Sequence, residues 1–166
     1  MMPIVVLLLI CVVVTGALAL MNNVTAPIIE AAAAERAFVA MNEMLPQASG
    51  FVPVVDEVFP RTIRAVYQTE NNVGYIFIVS VNGFSGEIRV MCAIDHDGRL
   101  VGSTALSHSE TQGIGTVVDM ESFTGQFVGA YSGLEGVYAV TGATISSRAY
   151  MDAVREAFVA FDLVRG

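Results

Sequence analysis

From Pro3 to Met21 the chain carries no charged side chain, and the run is apolar almost without interruption. As a helix these nineteen residues span about 28 Å at ~1.5 Å per residue, close to a bilayer core of ~30 Å. A helix buried in a soluble core would show a polar stripe, and this run shows none. Residues 1–21 are therefore expected to form one transmembrane anchor. Ala17-Leu18-Ala19 resembles the small-residue site at which signal peptides are cleaved. The run is longer than a usual signal h-region, however, and no basic n-region precedes it, which favours a retained anchor. With Arg36 the first basic residue after the span, charge leaves orientation open, to be set by residues further upstream or by partner subunits.

Beyond the anchor the composition is that of an ordinary acidic domain. The 166 residues suffice for one modest domain and an accessory segment. A net charge of −8 argues against nucleic acid and gives no help to binding anionic lipid surfaces. All eight basic residues are arginines, so chemistry that needs a lysine, a Schiff base or a P-loop, is excluded. Cys11 lies in the apolar run and Cys92 in an expected strand, so neither a disulfide nor a Cys-x-x-Cys site is expected.

Periodicity supplies the elements. After a polar break at Asn22–Pro27, an alanine-rich helix is expected from Ile28 to Met44, then an irregular segment between Pro46 and Pro60. Strands are expected at Ala65–Thr69, Gly74–Val81, Glu87–Asp95 and Arg99–Ser107. Gly83-Phe84-Ser85-Gly86 and Asp97-Gly98 mark turns, and the whole reads as an antiparallel meander with one face to a core. Residues 109–142 are glycine-rich, with a short helix near Ser122–Val128. A final helix, capped by Ser146 or Ser147 and running to about Leu163, places Tyr150, Met151, Val154, Phe158 and Phe161 on one face. The fold class is α+β: a single N-terminal transmembrane helix, then an antiparallel sheet flanked by helices. The expected division is 1–21 anchor, 22–64 helical linker and irregular segment, and 65–166 folded domain.

Two motifs carry chemistry. Val140-Thr141-Gly142-Ala143-Thr144-Ile145-Ser146-Ser147 puts a threonine hydroxyl between a Gly-Ala pair and a helix start, where free amides and the helix dipole favour a phosphate. Arg148 follows in the first turn. By itself this string also describes a capped loop-to-helix junction. His108-Ser109-Glu110-Thr111-Gln112-Gly113-Ile114-Gly115 follows a strand and opens the glycine-rich stretch; it lacks the third glycine of a dinucleotide fingerprint.

Together, and in this order behind an anchor, the two motifs resemble the membrane-anchored, covalent FMN-binding subunits of respiratory ion pumps. The likeness is nearest to the G subunit of the RNF complex, a relative of the C subunit of the sodium-pumping NADH:quinone oxidoreductase. Gly74-Tyr75, Gly83-x-x-Gly86, Ile94-Asp95-x-Asp97-Gly98 and Phe123-x-x-Gln126-Phe127-x-Gly129 fall in the family's order, so the resemblance covers roughly residues 66–161 and the anchor.

The resemblance implies an FMN-binding domain that carries FMN on Thr144 through a phosphoester, with Thr141, Gly142 and Ala143 around it. It further implies that Glu110 and Thr111 meet the flavin's polar edge, that Gly113 and Gly115 let backbone approach the ring, and that Ile114 packs on it. It implies an electron-transfer subunit of an ion-translocating complex, with neither a catalytic residue of its own nor a metal. Its partners would be other membrane subunits and a flavin transferase, its place the cell membrane with the FMN domain on the extracytoplasmic side. Two positions depart from the family pattern: Tyr138 stands where an aspartate is common, and Gln112 where proline is usual. These departures keep a non-redox anchored scaffold in view; within the flavin class the alternative is a stand-alone flavinylated surface carrier.

Two other constellations are weaker. Asp95-His96-Asp97 could suggest a metal cluster but coincides with a hairpin turn, where Asp is favoured for backbone reasons. Ser107 or Ser109 with His108 and Asp119 could suggest a hydrolase but has no Gly-x-Ser-x-Gly elbow.

Overall fold

The computed structural model describes residues 2–55 and 57–165. Its first element, α1, is one helix from Met2 to Met44. The side chains from Pro3 to Thr25 are all exposed, and α1 holds the one stretch, among the described residues, long and apolar enough to cross a membrane. The break expected at Asn22–Pro27 does not interrupt it. Pro27 removes a single bond of the ladder, to the Asn23 carbonyl, and long helical runs on either side hold the register.

The chain divides into two compact units, Met1–Val39 and Ala40–Gly166. The second unit contains the sheet. Five strands, β1 (Phe51–Pro53), β2 (Ile63–Thr69), β3 (Gly74–Asn82), β4 (Glu87–Asp95) and β5 (Leu100–His108), pair in chain order and antiparallel throughout. The meander is as expected. The segment between Pro46 and Pro60 is less irregular than expected, because β1 pairs Phe51 with Thr69 and Pro53 with Tyr67. Three residues ending in proline carry no readable alternation, and proline is tolerated here because β1 is an edge.

Helix α3, Thr144–Arg165, lies across β3 and β4. Its Ala149, Tyr150, Ala153, Val154, Ala157, Phe158 and Phe161 form the buried stripe and join Phe77, Val79, Val90, Cys92 and Ile94 in the main core. Phe161 meets Tyr75 and Phe77 edge-on, with ring centres 5.8 and 6.4 Å apart. At the other end Phe123 and Phe127, from the short α2 (Glu121–Thr124) and the 3-10 turn after it, close on Tyr150 at 5.4 and 5.2 Å.

The sheet is covered on both faces, not one. Ile76, Ile78, Met91 and Ala93 point away from α3 yet are buried. Met41 and Leu45, at the end of α1 and just after it, are also buried, and Met44 stands against Gly102 of β5. This explains why β3 and β4 read as continuous apolar runs instead of alternating ones.

Candidate functional site

Three loops that the meander brings to one end of the sheet enclose a cavity of about 360 Å³. The β3–β4 turn contributes Phe84. The segment after β5 contributes Glu110, Thr111, Ile114 and Gly115. The start of α3 contributes Gly142 to Ser146. Of the residues singled out in the sequence, Glu110, Thr111, Ile114, Gly142, Ala143 and Thr144 line the cavity, whereas Thr141 and Gly113 stand outside its lining. Phe84, Ile145 and Ser146 line it without having been named as site residues. The Gly83-x-x-Gly86 turn was the available signal for Phe84. Ile145 and Ser146 were hidden by reading the helix start too late.

Helix α3 begins at Thr144, not at a cap provided by Ser146 or Ser147. Its first intrahelical bond runs from Ser147 N–H to the Ala143 carbonyl (2.9 Å). The Ser147 hydroxyl sits inside the first turn, accepting Val140 N–H at 3.1 Å and donating to the Ala143 carbonyl at 2.8 Å. It thereby staples the loop to the helix from within, and leaves the amides of Thr144, Ile145 and Ser146 at the helix's positive end. Gly142 makes the approach with φ +87°, and a side chain there would meet nothing within 4 Å. Thr144 and Ile145 are exposed beside it.

The second motif folds around Glu110. Its side chain is 8% exposed. Oε1 accepts Ser85 N–H at 2.9 Å, and Oε2 accepts the Ser146 hydroxyl. Burial pushes this carboxyl up, but the Ser146 hydroxyl and the amides of Ser85, Phe84 and Gly86 outweigh it and hold the group below its ordinary value of 4.5. Thr111 Oγ1 lies 3.1 Å from Ser85 Oγ, so the loop and the turn are tied twice. Gly113 turns the loop at φ +80°, its N–H donating to Thr116 Oγ1 at 3.0 Å, and leaves Ile114 exposed at the cavity.

His108 is committed to the same loop. Nδ1 accepts Glu110 N–H at 3.2 Å and Nε2 faces Asp119 Oδ2 at 2.7 Å, so the neutral ring carries its proton on Nε2. Both nitrogens are engaged, and the hydrolase reading has no base. The metal reading of Asp95–Asp97 yields in the same way: Asp95 Oδ1 accepts the amides of Asp97 and Arg99, at 3.0 and 2.8 Å, as a turn-forming side chain does.

The cavity therefore offers apolar surface on Phe84, Ile114 and Ile145, hydroxyls on Thr111 and Thr144, and backbone freed of side chains at Gly115 and Gly142. Its volume falls within the ~300–1,000 Å³ of small-molecule sites. A flat ring with a polar rim and an anionic tail fits that arrangement, the tail at the helix end. Arg148, exposed on the first turn, has no ion-pair partner among the described residues.

A family model described as the FMN-binding domain matches residues 83–159, which contain all three loops. The G subunit of the ion-translocating oxidoreductase complex of Methanosarcina acetivorans is 36% identical, over 75% of this chain and 74% of that protein. The G subunit of the Na⁺-translocating ferredoxin:NAD⁺ oxidoreductase complex of Acetobacterium woodii is 32% identical, over 90% of this chain and 85% of its own length. The corresponding G subunit of the ion-translocating complex of Erwinia tasmaniensis is 26% identical, over 92% and 85%.

Proposed function

Since the chain belongs to the G-subunit family of ion-translocating oxidoreductase complexes, we propose that it relays electrons through an FMN esterified to Thr144. FMN is the cofactor its domain is built for; the covalent bond, the site residues and the topology are the proposal. When bound, the flavin supplies the redox chemistry. The chain supplies an acceptor hydroxyl on Thr144, an apolar bed on Phe84, Ile114 and Ile145, and positive potential at the start of α3 for the phosphodiester. Thr141, Gly142 and Ala143 shape the approach, and Gly113 and Thr111 set the loop that faces the ring.

In this reading residues 1–21 anchor the chain, 22–64 connect, and 65–166 bind FMN. The A. woodii relative is named for Na⁺ translocation between ferredoxin and NAD⁺, and by that likeness the present chain serves a complex of the same kind beside other membrane subunits. The sheet domain lies on the extracytoplasmic side, and a flavin transferase loads it from an activated flavin phosphate, the Thr144 oxygen giving up its proton and displacing the activating group from phosphorus. The topology has a direct test: Val58 is 92% exposed, while Cys92 is buried and Cys11 sits in the apolar run. An impermeant thiol reagent should label Val58→Cys in intact cells; protection until lysis would place the domain inside.

The observation that carries the reading is the exposed Thr144 at the cavity's edge, on the first turn of a helix whose leading amides have no helical acceptor. Expressed with a flavin transferase, the full chain should give a fluorescent band on a denaturing gel. The band should persist in Thr141→Ala and vanish in Thr144→Ala. A dark wild-type band beside a fluorescent control substrate would return the chain to the non-redox scaffold reading.

A further inference from the structure

We infer that Glu110 is a positioning residue whose carboxylate clamps the first turn of α3, and with it Thr144, against the two other loops of the cavity, and does not reach the flavin. The inference rests on the FMN reading for its consequence but not for its geometry. The cavity is made by three segments far apart in sequence, and Glu110 is bonded to each of them. Its main chain belongs to the loop after β5. Oε1 accepts an amide of the β3–β4 turn, and Oε2 accepts Ser146, two residues beyond Thr144.

The packing leaves that carboxylate no other place. A Cβ on Gly83 would collide with Oε1, and one on Gly115 would lie 2.6 Å from both the Cβ and Oε2 of Glu110. The two glycines therefore form the walls of a slot that fits the side chain and nothing more. The amides of Phe84 and Gly86 in the same turn add favourable potential at the carboxylate. From behind, His108 fixes the Glu110 amide and is itself held by Asp119. A carboxylate so engaged has its acceptor sites directed at the protein. What it contributes to the cofactor is the location of the helix end that presents the acceptor hydroxyl and the phosphate-binding amides.

Glu110→Gln keeps the volume but replaces one acceptor oxygen with an NH₂ that faces either turn amides or Ser146. Ser146→Ala removes the partner and spares the carboxylate. Neither residue is a candidate attachment point, so the two variants separate clamp from cofactor contact.

The experiment is amide hydrogen exchange on the full-length chain in detergent, prepared without flavin transferase, for wild type, Glu110→Gln, Ser146→Ala and the double variant. The clamp predicts roughly tenfold faster exchange, equal to about 1.4 kcal/mol of local opening, at Ser147–Tyr150 and at Gly83. It also predicts no change along β3 and β4, and a double variant no worse than the worse single. Because the Ser146 hydroxyl can turn to accept from the new NH₂ of Glu110→Gln, the decisive variant is Ser146→Ala: unchanged exchange there at the start of α3 would overturn the inference, and so would additive single effects. Loading with transferase gives the second readout. Slowed attachment with an unaltered absorption band in the flavin that does attach supports the clamp; normal attachment with a shifted band would make Glu110 a flavin contact. If exchange behaves as predicted but wild type takes no flavin, the clamp stands and the FMN reading fails.

Discussion

The Nε2 of His108 stands 2.7 Å from Asp119 Oδ2, eleven positions further along the chain, while its Nδ1 takes the amide of Glu110. This imidazole closes the cavity-lining loop at both ends. His108→Ala removes both bonds at once, one of them to a carboxylate. It should destabilise the sheet domain by about 2 kcal/mol, or roughly 6–10 °C in Tm. Asp119→Asn keeps an acceptor and should fall by less than half as much. Thermal unfolding followed by near-ultraviolet circular dichroism measures both; equal losses in the two variants would mean that the Glu110 amide bond contributes nothing.

Two glycines of one motif should respond to alanine differently. Gly113 has φ +80° and open space where a Cβ would go, so Gly113→Ala bears only backbone strain, about 1 kcal/mol. Gly115→Ala drives a methyl to within 2.6 Å of Glu110 and should lower stability by ~2–3 kcal/mol as the carboxylate is displaced. Chemical denaturation of both variants orders them. A Gly113→Ala loss as large as that of Gly115→Ala would show that the slot around Glu110 is not tight.

Much of this architecture is legible in the sequence, and the exceptions have physical causes. Runs of β-branched and aromatic residues, Asp97-Gly98 and the Gly83–Gly86 turn locate β2 to β5 within two residues, because hairpins are specified locally. β1 escaped because an edge strand of three residues is held by its neighbour's backbone and not by its own side chains. The start of α3 was misread because serine at a helix start usually caps it. Here Ser147 bonds backward to Val140 and Ala143 from inside the first turn, and Ser146 is drawn to a carboxylate thirty-six residues away. The two motifs contain every residue that lines the cavity except Phe84, which enters through the β3–β4 turn. That the Glu110 carboxylate bonds to the protein on both sides could not be read from a string in which it looks free to reach a ligand.

Glu110 also makes stability depend on pH. Its carboxyl is lowered in the folded chain from an ordinary 4.5, so the native state holds this proton more weakly than the unfolded one. The stabilisation is present above the ordinary value and is lost as pH falls through the lowered one. Denaturation of wild type should show the loss setting in as pH falls below the ordinary 4.5. Glu110→Gln, already less stable at neutral pH, should lose less over the same fall in pH. Parallel curves for the two proteins would show that the carboxylate is not preferentially ionised in the fold.

Arg148 tests the phosphate end of the site without touching the fold. It is exposed and free of ion pairs among the described residues, so Arg148→Glu should change stability by less than about 0.5 kcal/mol. It lies one turn from Thr144, at a helix end whose positive potential is proposed to hold a phosphodiester. Reversing its charge there opposes an anion through a few ångströms of partly screened solvent. Attachment of flavin by the transferase should slow several-fold at low salt, with the gap narrowing as salt rises; Arg148→Ala should fall between. Wild-type attachment rates in Arg148→Glu at low ionic strength would remove this arginine from the site and leave the helix amides as the phosphate's partners.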